Sequence, residues 1–205
     1  MLEPLVGKLK PMRIVLASGS KQREVLLRST GLDFEIYPSS FAENLNPDDY
    51  TFKYFVEATA QRKTENVFEV MKYDEKRPDL IIGADTMVTF CGKMYGKPKD
   101  NMEARRMIKD LTQSDKPHEV YTGVAIWYKG EIHTFSEMTR VHMTNLTDEE
   151  IENYILTKEP MGKAGGYGIQ GLAATFVERI EGDVNNVIGL PLCRLVKELK
   201  QIVKL

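Results

Sequence analysis

The chain has little of the chemistry that most often betrays a site in a sequence. Its 205 residues include two cysteines, Cys91 and Cys193, and three histidines, His118, His133 and His142. Two cysteines are too few for a disulfide scaffold or a structural zinc site. The histidines are scattered and none has HExxH spacing, which excludes the helix-borne zinc site of that motif. Cys91, beside an expected hairpin turn, and Cys193, on an expected helix, read as ordinary packing residues. There is no long basic block and the formal net charge is −2. Binding a nucleic-acid polymer usually needs a basic stripe, so no such partner is expected, while a small anion held by a few local cations fits. No apolar run is long enough to span a bilayer. Met1-Leu2-Glu3-Pro4 lacks the charged-then-apolar pattern of a secretory signal, so a cytoplasmic setting and no membrane partner are expected.

What is present is an ordinary soluble composition, 42% apolar and 28% charged, with enough apolar content for a core. The length fits one domain over 1–205, or one domain with two lobes. Residues 13–17 and 34–37 read as strands around a helix over 21–29 that Gly31 stops. Residues 38–50 are loop-like, and 52–71 form a long helix. A central strand starts at Leu80, and residues 101–111 form a further helix. Residues 118–128 and 131–144 read as long strands joined at Lys129-Gly130, a hairpin signal. Thr147-Asp148-Glu149-Glu150 is a capping box opening a helix to about Leu156. A strand is expected near 173–180, and a last helix begins at Pro191. Leu192, Leu195, Val196, Leu199, Ile202 and Val203 give that helix one apolar stripe. Strand-helix alternation combined with a hairpin predicts a mixed α/β sheet.

Four segments point to chemistry. Asp85 interrupts an apolar run, Leu80-Ile81-Ile82-Gly83-Ala84 before it and Met87-Val88-Thr89-Phe90 after Thr86. An ionised carboxylate buried without partners costs several kcal/mol or more, so Asp85 needs a partner or a task. Lys97, in the rigid Gly96-Lys97-Pro98 turn, is one candidate cation. Lys63 is out of place on the long helix, where it shares a stripe with Phe52, Phe55, Val56, Ala60, Val67 and Val70. A lysine there must snorkel or meet an anion. The third segment, Ser18-Gly19-Ser20, leads from a strand into a helix, whose unpaired N–H groups favour anions, and Arg23 in the first turn could fork onto a phosphate. It lacks Walker spacing, and serines there are equally good as simple caps. The fourth is the glycine cluster 162–171, where Tyr167 and a buried-looking Gln170 could meet a flat hydrogen-bonding group such as a base. A mobile surface loop is the alternative, and the alternation of glycine with apolar residues argues against it. Glu43, in the polar loop, is not singled out by its spacing.

These pieces in this order resemble the Maf family of nucleoside triphosphate pyrophosphatases. The matching segments are LASGSKQRE at 16–24, the acidic loop through Glu43, AQRK ending at Lys63, IGADTMV at 82–88, GKP at 96–98 and YTGVA at 121–125. EPMGKAGGYGIQG at 159–171 and GDVNNVIGLPL at 182–192 complete the set, which covers nearly the whole chain. The match extends to the Maf-like domain of a larger eukaryotic methyltransferase-like protein, but no methyltransferase segment is present. The resemblance implies a mixed twisted sheet in two lobes around a central cleft, as in Maf and inosine-triphosphatase-like folds. It implies cleavage between the α- and β-phosphates of a nucleotide and a divalent cation, usually magnesium, with manganese as a substitute. A homodimer is implied as well. By resemblance the general base falls on Asp85 and its support on Glu43, Lys63 and Lys97. Glu43 and Asp85 are the implied metal carboxylates. Substrate contacts fall on Ser18, Ser20, Gln22, Arg23, Thr86 and Gln170.

The chain departs from the family pattern in two places. Ser20-Lys21-Gln22-Arg23 stands where many members read S-P-R-R, and Gln22 takes the position of the first arginine. In the resemblance that position separates a dTTP/UTP subgroup, with Arg, from a 7-methyl-GTP subgroup, with Trp. Gln22 fits neither, whereas Thr86 and Gln170 match the dTTP/UTP subgroup. The second departure is the segment 111–118, longer than usual and without a Ser-Gly turn. The leading expectation is therefore a pyrophosphatase acting on dTTP, UTP or modified pyrimidine nucleotides. The alternatives are the same chemistry on a modified purine nucleotide, or a low-turnover nucleotide-binding regulator of cell division. A Rossmann dehydrogenase is disfavoured because the first turn is SGS and not GxGxxG.

Overall fold

The computed structural model describes residues 2–203. Seven strands form one mixed sheet: β1 Ile14–Leu16, β2 Glu35–Ile36, β3 Leu80–Phe90, β4 Lys93–Tyr95, β5 His118–Tyr128, β6 Glu131–Met143 and β7 Val177–Glu181. Their order is β2-β1-β3-β5-β6-β7, with β4 hydrogen-bonded to β3 outside that path. Strand β1 runs parallel to β2 and β3, while β4 on β3 and β7 on β6 are antiparallel. The helices are α1 Glu3–Leu9, α2 Lys21–Arg28, α3 Phe52–Met71, α4 Asn101–Thr112, α5 Asp148–Leu156, α6 Val184–Ile188 and α7 Leu192–Ile202. The mixed α/β sheet expected from the sequence is what is found. Among the described residues no helix is long and apolar enough to cross a membrane.

The chain divides into two compact units that are each discontinuous in sequence. One contains the chain through Asp85, then Thr122–Glu137 and the segment from Gly189 on; the other contains Thr86–Tyr121 and Met138–Ile188. In the first, Val15 and Ile81 of the sheet and Ala17 just after β1 pack with Val67 and Met71 of α3, with Phe68 and Trp127 stacked beside them at 4.4 Å. In the second, Val88, Val120 and Val141 of the sheet pack with Met107, Ile108 and Leu111 of α4 and Ile151, Tyr154 and Ile155 of α5.

Local chemistry accounts for most element ends. Thr51 caps α3, accepting the Tyr54 N–H. The capping box at Thr147 and Glu150 is closed in both directions. Lys129 and Gly130 both have positive φ, as the tight turn between β5 and β6 requires. Four expectations need correction. Val70 is 49% exposed and lies off the buried stripe of α3. Residues 172–175 form a 3-10 turn, and β7 begins only at Val177. Helices α1 and α6 carry no long periodic pattern and were not expected. Cys91 and Cys193 are both exposed, so neither is a packing residue.

The feature that positions the site is the approach of α3 to β3. Side chains of a strand alternate between faces, so Ile81, Gly83 and Asp85 share one. Ile81 meets Val67 and Met71. At Gly83 a Cβ would collide with Thr64 Oγ1 and stand 2.9 Å from the Ala60 carbonyl oxygen. The helix therefore lies directly on strand backbone, and Thr64 is wholly buried, donating to the Ala60 carbonyl at 2.9 Å. A helical side chain leans toward its helix N-terminus, which carries Lys63 past Gly83 to the next residue of that face, Asp85. Gly83→Ala is expected to destabilise the fold by about 1–3 kcal/mol, the usual cost of overpacking. It should also lower activity by moving Lys63 from Asp85. Chemical denaturation with parallel assays checks this, and unchanged stability would show that the helix can retreat without penalty.

Candidate active site

Lys63 does meet an anion, and it meets two. Its Nζ lies 2.7 Å from Asp85 Oδ1 and 2.7 Å from Glu43 Oε1. The lysine and Asp85 side chains are 11% and 13% exposed, whereas Glu43 is 48% exposed. Carboxylates take the place of water around an ammonium group this deeply placed. Strand β3 runs unbroken through Asp85, which with Thr86 forms the partly exposed step in an otherwise buried stretch. Glu43 stands in the polar loop with a φ of 49°. A left-handed backbone at a residue with a Cβ costs energy and persists only where surroundings impose it, often at functional positions. Sequence spacing held no such signal for Glu43.

Arg23 belongs to the same unit. Its Nε donates to the Gly189 carbonyl at 2.9 Å and its Nη1 to Ser18 Oγ at 3.1 Å. Desolvation pulls the guanidinium below the ordinary arginine value, and the negative fields of Asp85 and Glu43 oppose that pull. Arginine stays cationic throughout. The two serines have structural work. Ser18 Oγ also accepts the Ser20 N–H at 3.3 Å, and Ser20 caps α2 by accepting the Arg23 N–H at 3.4 Å. Ser20 Oγ also donates to Gln22 Oε1 at 3.3 Å, and Gln22 is exposed. The 189 carbonyl was missed from sequence, since a backbone acceptor distant along the chain leaves no residue signature.

The second unit holds the other candidates. Thr86 is partly buried and follows Asp85 directly on β3. Lys97 is exposed in the 96–98 coil. Gln170 is exposed, which corrects the reading of it as buried. Tyr167 is 6% exposed and so is not a base-contacting surface; its Oη lies 2.8 Å from Nε2 of His118, which is 1% exposed. The two rings cross edge to face with centroids 5.3 Å apart. Burial, with a smaller contribution from the positive field of His142, pushes the His118 imidazole down to about 3. The glycine cluster is therefore tied to the core at Tyr167 and is not a loose loop. A lone histidine at the start of a strand gave no hint of this pairing.

Chemically, the first unit offers a carboxylate held in place by an ammonium group, a second carboxylate on the same cation, and a nearby guanidinium. Glu43 and Asp85 are hard oxygen donors of the kind magnesium or manganese takes. Among the described residues no cluster of three or more metal-binding side chains exists. Two carboxylates suit a magnesium ion that keeps waters and shares substrate phosphates, so the residues fit that group.

A family model described as Maf-like protein matches residues 13–202. A dTTP/UTP pyrophosphatase of Bacillus cytotoxicus is 46% identical over 193 residues, covering 92% of this chain and 95% of that protein. One of Clostridium novyi is 45% identical over 188 residues, covering 91% and 95%. Among solved structures, the Staphylococcus aureus Ham1 protein aligns over 65% of this chain and 72% of its own, with 13% identity and a TM-score of 0.42.

Two expectations follow from this geometry. Lys63→Met removes the cation that both carboxylates bond. It should cost about 1.5–3 kcal/mol, the range for hydrogen bonds to charged groups, and abolish activity. Denaturation curves measure the first and turnover the second; full stability would mean the carboxylates are solvated independently of Lys63. The other concerns acid. His118 is neutral when folded, so its contribution is complete above its unfolded value near 6.5 and is lost as pH falls from there through about 3. His118→Phe should flatten the acid limb of the stability profile by up to about 1.4 kcal/mol per pH unit. Equal slopes for both proteins would place His118 in contact with water.

Proposed function

The chain belongs to the Maf-like family, whose model spans residues 13–202. From that premise we propose that it hydrolyses dTTP, UTP or modified pyrimidine nucleoside triphosphates to the monophosphate and pyrophosphate. The observation that carries this reading is Lys63 held between Asp85 and Glu43 at 2.7 Å each. Relatives at 45–46% identity named dTTP/UTP pyrophosphatase support it.

Cleaving a phosphoanhydride depends on placing a nucleophile in line and neutralising charge. In this proposal Asp85 orients a water and takes its proton as the new P–O bond forms. Lys63 holds the Asp85 carboxylate in one orientation. Arg23, fixed by Ser18 and the Gly189 carbonyl, directs positive field toward the phosphates. Lys97 adds a second cation, Ser18 and Ser20 contact the substrate, and Gln22, Thr86 and Gln170 select the base. These roles are assigned on the resemblance. Glu43 and Asp85 would hold a magnesium or manganese ion, which would supply further charge neutralisation on the phosphates. A homodimer and a cytoplasmic setting complete the proposal.

Pyrophosphate release, screened over common and modified nucleoside triphosphates with magnesium, tests the reading. UTP and dTTP should be turned over well ahead of ATP and GTP. A preference for a methylated purine triphosphate would transfer the same chemistry to another base, and Gln22 is where such a change would be sought first. Asp85→Asn should keep fold and nucleotide binding while kcat falls by ~10²–10⁴. Near-normal turnover in that folded variant would remove Asp85 from the base role.

A further inference from the structure

The segment that carries Gln170 is gripped on both sides. On its N-terminal side Tyr167 is buried and bonded to His118 at 2.8 Å. On its C-terminal side the Glu159 carboxylate accepts the Leu172 N–H at 2.8 Å and the Ala173 N–H at 3.2 Å. The same carboxylate accepts the Tyr154 hydroxyl at 3.0 Å, and Tyr154 is buried edge to face against Phe176. Between the two grips, the Gly171 N–H donates to the Gly168 carbonyl at 2.9 Å, closing a turn over 168–171 with Gln170 inside it. Gly171 leaves room for the Glu159 carboxylate. A Cβ would stand 2.6 Å from Glu159 Cδ and 2.7 Å from its Oε1, so only glycine lets the carboxylate approach this closely. Lys163 Nζ bonds the Glu159 carbonyl, and the Gly165 N–H donates to the Gly96 carbonyl at 3.0 Å, next to Lys97.

Gln170 itself is exposed, as are Gly171 and Leu172 after it, while Tyr167, His118, Tyr154 and Ala173 of the two grips are buried and Glu159 is partly buried. An exposed amide on a freely moving loop would sample many orientations and discriminate poorly. One clamped within three residues on either side presents its donor and acceptor in a fixed direction, as selection by hydrogen bonding needs. We propose that Glu159 and the His118–Tyr167 pair are positioning residues that hold Gln170 in register and thereby set base selectivity. This rests on the reading that Gln170 contacts the base.

Two variants probe the grips without large change of shape. Glu159→Gln replaces one acceptor oxygen with an amide that must face a backbone N–H, and Tyr167→Phe deletes the hydroxyl bonded to His118. For each, kcat and KM are measured on UTP and GTP beside the wild type and Gln170→Ala. In both grip variants kcat/KM for UTP should fall about 10- to 100-fold, chiefly through KM, as expected for a misplaced binding group. GTP turnover should move little, so the UTP-to-GTP ratio drops toward that of Gln170→Ala. Equal losses on both nucleotides would mark the grips as structural only and overturn the proposal. So would an unchanged ratio in the grip variants beside a collapsed one in Gln170→Ala. An unchanged ratio in Gln170→Ala would refute base contact by Gln170, and the proposal with it. Should Glu159→Gln not fold, Tyr167→Phe, which keeps both rings, decides alone.

Discussion

A buried ammonium group needs anions, and Lys63 has them only because α3 can lie on the backbone of β3. Any side chain at Gly83 would lift the helix and withdraw the lysine from Asp85. The contact also depends on register. Ile81 under Val67 and Met71 fixes where the helix sits along the strand, and the lean of helical side chains does the rest. Glu43 then comes to the same cation from a loop whose backbone is held in the left-handed region. Arg23 feels both carboxylates, so its electrostatics follow from the same placement.

Much of this was legible in the residues. The long helix has the bounds expected of it, because its cap and its breakers are local signals. Lys63 stood out as a charge on an apolar stripe, and the structure supplies its partners. Asp85 stood out as a carboxylate in an apolar run, and it sits where the strand is partly open. Other features were hidden for physical reasons. Val70 fits the helical period, but the stripe shifts around a twenty-residue helix and leaves it in solvent. Helix α6 has five residues, too few for any periodicity to register. A strand was expected from about residue 173, yet Glu159 takes the N–H groups of Leu172 and Ala173, and residues 172–175 turn instead.

The glycine cluster shows how composition can mislead about motion. Ten residues with five glycines would by composition alone suggest a mobile loop, and glycine does raise the entropy lost on ordering. Here the glycines allow close approach: of Gly171 to a carboxylate and of the cluster's buried tyrosine to the core. The aromatic residue that looked like a ligand platform is an anchor, and the amide that looked buried faces water.

The two thiols also have a use outside the chemistry of the site. Cys91 sits in the turn between β3 and β4 in one unit, and Cys193 in the first turn of α7 in the other; both are exposed. Each unit thus carries a single reactive handle for maleimide dyes or spin labels, with no cysteine to remove beforehand. A donor and an acceptor on these positions would make the distance between the units directly readable in solution, with and without nucleotide. The same exposure makes a reductant necessary during purification, since surface thiols of separate molecules oxidise into cross-linked species.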